Sequence, residues 1–296
     1  MRENLIKTIM NEQITETNPS LEGISKDFFY DQNSSLYLGT GLCTYHSMSI
    51  GLPFDVLSMI LTAEKLRRDL GMKETFHQIA DTHAKSNKFY NENEIDELAK
   101  RERDLLIQIV EKLRIPNYNI ILASETESHP VYIELFEQVT SKVPTDTHEY
   151  RIRELTDIEW FRVEKNVKIK IGWTIDGGTQ HSKFDERSYD SLYKECVSDK
   201  VSFVYVKAGR ILDKKRPKAS PYISIAGETR IMIDQNEDPK QEIGIGVKNF
   251  NGDKTLGSAL KYYVGILRLY QSVVGKLESN TVEDRIKEVL DKIFEV

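Results

Sequence analysis

Apolar residues follow two alternating patterns along the chain up to about residue 207. Short and nearly continuous apolar runs predict β-strands at 35–40, 75–80, 118–124, 168–173 and 201–207. Between them, apolar residues at helical spacing predict α-helices at 53–70, 94–114, 130–142 and 188–196. Strands that alternate with helices of this length are typical of βαβ units with right-handed crossovers. We therefore expect an α/β fold with five central parallel strands flanked by helices.

The other segments have weaker patterns. Residues 3–12 fit a short helix, and 13–34 read as a loop because they contain several breakers. Residues 85–93 are polar and predict a loop, whereas 143–166 show charge, one tryptophan and no clean period. Residues 222–225 and 230–234 could pair as a hairpin.

Two further helices are predicted in the tail, at 255–275 and 281–295. We expect them to form a small C-terminal helical element, 251–296, after a larger α/β domain, 1–250. No apolar run approaches the roughly 18 residues needed to span a bilayer, and the N-terminus lacks the pattern of a signal peptide. The sequence therefore predicts a cytoplasmic protein without a membrane partner.

Composition narrows the classes of function. The 296 residues carry a net charge of −6, which argues against a whole surface built for nucleic acid but permits a local basic patch. Two cysteines, Cys43 and Cys196, are too few for a disulfide scaffold or a cysteine zinc site. A reducing compartment is the simplest assumption.

Polar residues gather where the first predicted strand ends. That strand runs into Gly39, Thr40 and Gly41, and His46 follows shortly before a helix. Glycines let a nucleotide approach the backbone, and a helix N-terminus favours phosphate. His46 could donate a hydrogen bond to phosphate oxygens as charge develops on them. The structural alternative is a tight strand-to-helix turn that happens to contain a histidine.

The second predicted strand ends in Asp81 and His83. On an extended segment these two side chains project to the same face. Asp81 could then fix a substrate amine or hydroxyl, with His83 supporting it. The alternatives are a capped strand end, a buried hydrogen bond, or a metal site with His77, for which no fourth ligand is evident.

Two later segments offer further candidates. Glu125 follows the third strand, where either a ligand contact or an acidic residue near a helix N-terminus is expected. The segment 207–218 is basic and follows a strand, so it could close over polyphosphate, with Lys218 and Ser220 as the sharpest candidates. The structural alternative is a solvated lysine-rich surface.

The segment Gly39 to Asn87 resembles the nucleotide-binding half of class I aminoacyl-tRNA synthetases, and is most similar to the tyrosyl and tryptophanyl subgroup. The likeness rests on the histidine-containing turn at a helix start and on Ala80-Asp81-Thr82-His83-Ala84 after the next strand. It implies a Rossmann-like fold that activates a carboxylate with ATP and Mg²⁺. The family's lysine-serine signature has its nearest candidate in Lys218-Ala-Ser220.

This resemblance implies three groups of site residues. The catalytic group comprises His46, Lys218 and Ser220. The nucleotide-binding group comprises Gly39, Thr40, Gly41 and Gly51. The substrate-binding group comprises Tyr37, Asp81, His83, Asn87 and Glu125. The implied partners are an amino acid or small carboxylate, a tRNA if it is the acceptor, and a second copy of the chain in a homodimer.

The chain departs from the family in two places. It has one histidine, His46, where the family's first signature has two around a glycine, and its lysine-serine signature is incomplete. Two alternatives therefore stay open: another nucleotidyltransferase on the same fold, or a regulatory paralogue that binds a nucleotide or amino acid without turnover. We expect residues 143–166 and 174–190 to shape the substrate pocket.

Overall fold

The computed structural model describes residues 14–18, 32–42, 52–86, 92–175, 187–208, 219–223 and 229–233. The helix predicted at 3–12 and the C-terminal element predicted at 251–296 lie outside the described residues. The strands are β1 Ile14–Asn18, β2 Ser35–Gly41, β3 Leu52–Pro53, β4 Glu74–Ala80, β5 Tyr118–Leu122, β6 Val167–Ile175, β7 Ser202–Ala208, β8 Ala219–Ile223 and β9 Thr229–Ile233. The helices are α1 Phe54–Leu70, α2 Asp81–Ser86, α3 Glu92–Lys112, α4 Ala123–Glu127, α5 Pro130–Lys142, α6 Glu149–Lys165 and α7 Arg187–Cys196.

The main sheet has the strand order β1-β7-β6-β2-β4-β5. Its five strands from β7 to β5 run parallel, which confirms the predicted five-stranded parallel sheet flanked by helices. After β1 at the edge, the chain enters the parallel part of the sheet at β2 in the middle, proceeds outward to β4 and β5, and then returns to β6 and β7 on the other side. Such a doubly wound sheet has its ligand crevice at the carboxyl ends of the strands where the direction reverses, here between β2 and β6.

Side chains alternate between the two faces of β2, because successive residues of a strand point in opposite directions. Leu36 and Leu38 pack with Met59 and Ala63 of α1. Tyr37 points the other way, into a core built from α5, α6 and α7, and stacks on Phe161 at 4.3 Å between ring centroids. The central strand is thus buried on both faces, as its continuous apolar run predicts.

Helix ends follow the local sequence signals. Gly71 ends α1 with a φ of 68°, a left-handed conformation that costs glycine little. Pro130 occupies the first turn of α5, where its missing N–H is not needed. Asn166 ends α6 in the left-handed region, with φ 49° and ψ 40°. Asparagine is one of the few residues that tolerate this conformation.

Two predicted loops are wrong in part. Within 13–34, Ile14–Asn18 forms β1, which pairs antiparallel with β7 at the edge of the sheet. Its hydrogen-bond partners lie nearly 190 residues away in sequence, so no local pattern specifies the pairing. Within 85–93, α2 continues through Ser86 and α3 already begins at Glu92.

The segment 143–166, which has no clean period in the sequence, contains α6, Glu149–Lys165. Thr156, Asp157 and Glu159 are buried on this helix, and polar residues at core positions hide its apolar stripe. The strand predicted over 118–124 ends earlier, at Leu122, because Ala123 and Ser124 already belong to α4.

A second sheet has the order β3-β8-β9. The antiparallel pair β8–β9 confirms the predicted hairpin, with bounds shifted toward the N-terminus by a few residues at β8. β3 pairs antiparallel with β8, with Leu52 opposite Ile223. The strand that precedes α1 is therefore hydrogen-bonded to the strand that follows the basic segment.

Candidate functional site

Three strands of the main sheet end side by side next to the β2–β6 crevice. β2 ends at Gly41, β4 continues directly into α2, and β5 continues directly into α4. The parallel register places Gly41 opposite Ala80, the last residue before Asp81. The predicted edge therefore exists, and α2 and α4 carry its polar side chains.

Asp81 is the first residue of α2, and so the prediction that Asp81 and His83 lie on an extended segment is wrong. In a helix, residues two apart do not share a face, and the two side chains take different partners. Asp81, 1% exposed, accepts a hydrogen bond at Oδ1 from the backbone N–H of Ser124, 3.0 Å away. This bond fixes the start of α2 against the start of α4.

A buried chain of hydrogen bonds crosses from β2 to α6. The Tyr37 hydroxyl donates to Gln78 Oε1 at 2.7 Å. The Gln78 amide nitrogen then donates to Thr126 Oγ1 at 3.1 Å and to Asp157 Oδ1 at 3.0 Å. Gln78 and Asp157 are each 1% exposed. Since buried polar groups are costly unless they are hydrogen-bonded, this network constrains the relative positions of β2, β4, α4 and α6.

His83 extends the network to α2. Its Nε2 lies 3.2 Å from Asp157 Oδ2 and 3.9 Å from Glu127 Oε1, and its ring meets Tyr150 edge-on at 5.3 Å between centroids. Burial alone would lower the pKa of His83. The hydrogen bond and charge of Asp157 outweigh it, with help from Glu154 and Glu127, so that the pKa is raised above its ordinary value of 6.5.

Glu127 of α4 joins the same cluster from the other side. Thr82 donates to its Oε1 at 2.6 Å, and Arg153 of α6 donates to its Oε2 at 2.6 Å. Tyr132 of α5 lies close by, and burial, reinforced by the charges of Asp157 and Glu127, raises the pKa of its hydroxyl well above the ordinary range. Tyr132 therefore stays protonated and can act as a donor.

The glycines at the end of β2 differ in what surrounds them. A Cβ at Gly39 would lie 3.1 Å from the Tyr37 hydroxyl, a contact so tight that the tyrosine side chain would have to shift by a few tenths of an ångström. A Cβ at Gly41 would meet nothing within 4 Å. Gly41 is exposed and next to the crevice, which fits the approach of a nucleotide to the backbone. The glycine at position 39 is explained by its close contact with Tyr37.

Thr40 points to the opposite face of the sheet. Its hydroxyl lies 2.9 Å from His77 Nε2, and Nδ1 of the same ring lies 3.0 Å from the Tyr118 hydroxyl. His77 is thus engaged in a hydrogen-bonded row on the α1 side, away from His83. Among the described residues, which include His77, Asp81 and His83, no group of three or more histidine, cysteine or acidic side chains could hold a metal ion.

Of the other predicted site residues, His46, Gly51, Asn87 and Lys218 lie outside the described residues. The structure describes the remaining two, Ser220 and Glu125. Ser220 lies on β8, which contacts α1, and β8 also pairs with β3 immediately after Gly51. Glu125 accepts a hydrogen bond from the Leu122 backbone N–H at 3.1 Å and pairs with Arg103 at 2.6 Å. These two contacts already explain an acidic residue at the start of α4.

Sequence reasoning missed Gln78, Thr126 and Asp157, which form the centre of the network. One signal was available for Asp157: on α6 it lies seven residues after Tyr150 and three after Glu154, which places the three on one helix face. The Tyr150 hydroxyl donates to Glu154 at 3.0 Å, as that spacing allows. No signal in the strand marks Gln78 as more than another buried position.

The fold of this chain is similar to that of several solved structures. Tyrosyl-tRNA synthetase from Archaeoglobus fulgidus, in a complex with L-tyrosine, aligns with a TM-score of 0.59 and 12% identity over 100% of this chain and 98% of that one. The Aeropyrum pernix tyrosyl-tRNA synthetase aligns with a TM-score of 0.60 and 13% identity over 99% and 93%. Tryptophanyl-tRNA synthetase from Plasmodium falciparum aligns with a TM-score of 0.54 and 14% identity over 99% of this chain and 88% of that one.

The chain has a fold like that of the class I aminoacyl-tRNA synthetases. No protein-family model matches the sequence, and no curated protein sequence matches it. At identities of 12 to 14% the likeness concerns the fold alone. In the described part of the chain, no helix is long and apolar enough to cross a membrane.

Proposed function

We propose that this protein activates an amino acid, or a small carboxylate, with ATP. A substrate carboxylate oxygen attacks the α-phosphorus of ATP, the bond to the bridging oxygen breaks, and pyrophosphate leaves with an acyl-adenylate remaining. The supporting observation is the buried polar network of Tyr37, Gln78, Asp157 and His83, which lies beside the crevice of a sheet folded like that of the synthetases. Ligands of doubly wound sheets bind at this edge.

The described residues suit the amino-acid side of the site. Asp157 and Glu154 from α6 and Asp81 from α2 supply carboxylates that a substrate amine or hydroxyl would meet, and Tyr37 forms the floor. The network holds these groups before the ligand arrives, which lowers the cost of ordering them on binding. This assignment agrees with the expectation that part of 143–166 shapes the pocket.

For the nucleotide, Gly41 is a described glycine at this edge of the sheet with room for a ligand against the backbone. ATP would supply the adenylyl group, and Mg²⁺ would neutralise phosphate charge, held mainly by the phosphates themselves. His46, Lys218 and Ser220 are proposed to contact the phosphates and to stabilise the charge that develops on the leaving pyrophosphate. The pairing of β3 with β8 supports this grouping, because β3 follows His46 in the sequence and β8 carries Ser220.

The test is ATP–pyrophosphate exchange with each common amino acid, in the presence of Mg²⁺ and repeated with tRNA. We expect labelled pyrophosphate to enter ATP only with one amino acid or a close set. His46→Ala should lower exchange at least about 100-fold, as expected for loss of a group that stabilises transition-state charge. His129→Ala, at an exposed N-cap of α5, is the matched control and should keep full exchange.

One observation favours the second candidate, a regulatory paralogue. The Tyr37 hydroxyl, Asp81 Oδ1 and both Glu125 oxygens already have protein partners, so a ligand must compete for them. Binding of ATP or an amino acid without exchange would select this candidate. Exchange that does not depend on any amino acid would instead select another nucleotidyltransferase. Cytoplasmic location, a homodimer and a tRNA acceptor stay predictions of the sequence.

A further inference from the structure

His83 connects three structural elements at the candidate site. It lies on α2, directly after β4, and is 4% exposed. Its Nε2 is 3.2 Å from Asp157 Oδ2 on α6 and 3.9 Å from Glu127 Oε1 on α4. A positively charged imidazole at this place attracts both carboxylates, whereas a neutral one loses most of that attraction. The charge on one ring therefore influences how firmly α2 is held against α4 and α6.

Negative charge predominates around the His83 ring. The groups that act on it are Glu127 from α4 and Tyr150, Glu154 and Asp157 from α6. Tyr132 from α5 and Arg153 from α6 interact with these carboxylates in turn. Arg153 is already paired with Glu127 and Glu149. On α2 itself, Lys85 is paired with Asp96 of α3. Protonation of His83 thus adds a positive charge to a cluster in which negative charges predominate.

Asp157 transmits the position of His83 to the rest of the network. One carboxylate oxygen faces His83 and the other accepts the Gln78 amide at 3.0 Å, and the Gln78 carbonyl oxygen accepts the Tyr37 hydroxyl. A rotation of the carboxylate away from an uncharged His83 weakens the bond to Gln78 as well. Four side chains on β2, β4, α2 and α6 consequently respond to one proton.

We propose that His83 is a positioning residue whose protonated ring holds Asp157, and through it Gln78 and Tyr37, in the arrangement that receives the substrate. The site is ordered when His83 carries a charge and loosens when it does not. The catalytic consequence rests on the proposed function, whereas the ordering is a property of the ligand-free chain and can be measured without any substrate.

The direction of the pH dependence follows from linkage. The pKa of His83 in the folded protein is raised above 6.5, the ordinary value that the unfolded chain keeps. Its stabilising effect is therefore fully present below pH 6.5 and is lost as the pH rises through the folded-state pKa. Each unit by which the pKa is raised corresponds to about a tenfold change in the equilibrium between held and released α2.

Hydrogen exchange of the full-length, ligand-free protein, corrected for intrinsic exchange rates, tests the ordering over about pH 5 to 9. Amides of α2 and of α6 near Asp157 should lose protection as the pH rises, about tenfold per unit of raised pKa. His83→Gln can still donate to Asp157 but cannot titrate, so its protection should be independent of pH. His129→Gln, at the exposed N-cap of α5, is the matched control and should behave like the wild type.

The wild-type pH dependence persisting in His83→Gln would overturn the proposal. If that variant does not fold, Asp157→Asn serves instead, since loss of the carboxylate should remove the dependence, and its persistence would again overturn it. Once an amino acid supports exchange, its KM should rise with pH in the wild type and stay level in His83→Gln. Absence of exchange together with pH-dependent protection would reject the proposed function alone.

Discussion

Gln78 offers the sharpest test of the buried network, because its side chain makes three hydrogen bonds in the interior of the protein. Gln78→Leu keeps the size of the side chain and removes all three. The bonds to Tyr37 and Thr126 are neutral and contribute about 1 kcal/mol each, and the bond to the Asp157 carboxylate contributes about 2 kcal/mol. Burial of the leucine offsets about 1 kcal/mol of this sum. We expect the free energy of unfolding to fall by about 3 kcal/mol.

Urea denaturation followed by circular dichroism and tryptophan fluorescence measures the change. Gln108→Leu is the matched control, since Gln108 lies exposed on α3 and its replacement should change stability by less than about 0.5 kcal/mol. Tyr37→Phe completes a double-mutant cycle. Because Tyr37 and Gln78 share one bond, the double variant should lose about 1 kcal/mol less than the two single variants together. Strict additivity, or a loss below about 1 kcal/mol in Gln78→Leu, would refute the network as described.

Four further predictions follow from the described residues. Gly39→Ala should destabilise the protein by about 1 kcal/mol, because the new Cβ would lie 3.1 Å from the Tyr37 hydroxyl; the same substitution should cost less when it is made in a Tyr37→Phe background. Gly41→Ala should leave the urea midpoint unchanged, since nothing lies within 4 Å, but should weaken ATP binding in a titration; unchanged affinity would remove Gly41 from the nucleotide site. Asn166→Ala should cost about 1 kcal/mol or more, because alanine tolerates a φ of 49° poorly, and Asn166→Gly should cost less; equal losses would contradict the left-handed helix end. In urea titrations, the stability of the wild type relative to His83→Gln should fall as the pH rises from 6.5 through the raised pKa of His83, and a constant difference would argue against a charged ring.

The likeness to synthetases leaves the chemistry to be tested at named positions. Gly41 next to the β2–β6 crevice and the Asp157 network are described in atomic detail, whereas His46 and Lys218 are known only from the sequence. A binding site and a catalytic site on this fold differ in whether the phosphate-contacting residues stabilise charge in the transition state. Pyrophosphate exchange by the wild type and by His46→Ala therefore decides between them.

Strands and helices with local sequence signals could be predicted from the sequence alone. Periods of two and 3.6 residues record which face of an element is buried, and so the five parallel strands and the helices α1, α3, α5 and α7 could be predicted. Helix ends such as Gly71 and Pro130 are equally local, because they depend on the backbone freedom of one residue. The alternation of strands and helices then limits the topology to a few arrangements.

Which polar residues act together depends on the tertiary fold. Asp157 lies 79 residues from Gln78 in the chain and on a helix whose period its own burial obscures. Asp81 and His83 were expected to share a face, but a helix starting at Asp81 sends one to Ser124 and the other to Asp157. The pattern of apolar residues specifies which side chains are buried. The hydrogen-bond partners of a buried polar side chain depend on how separate helices and strands pack, and the spacing of residues along the chain does not specify this packing.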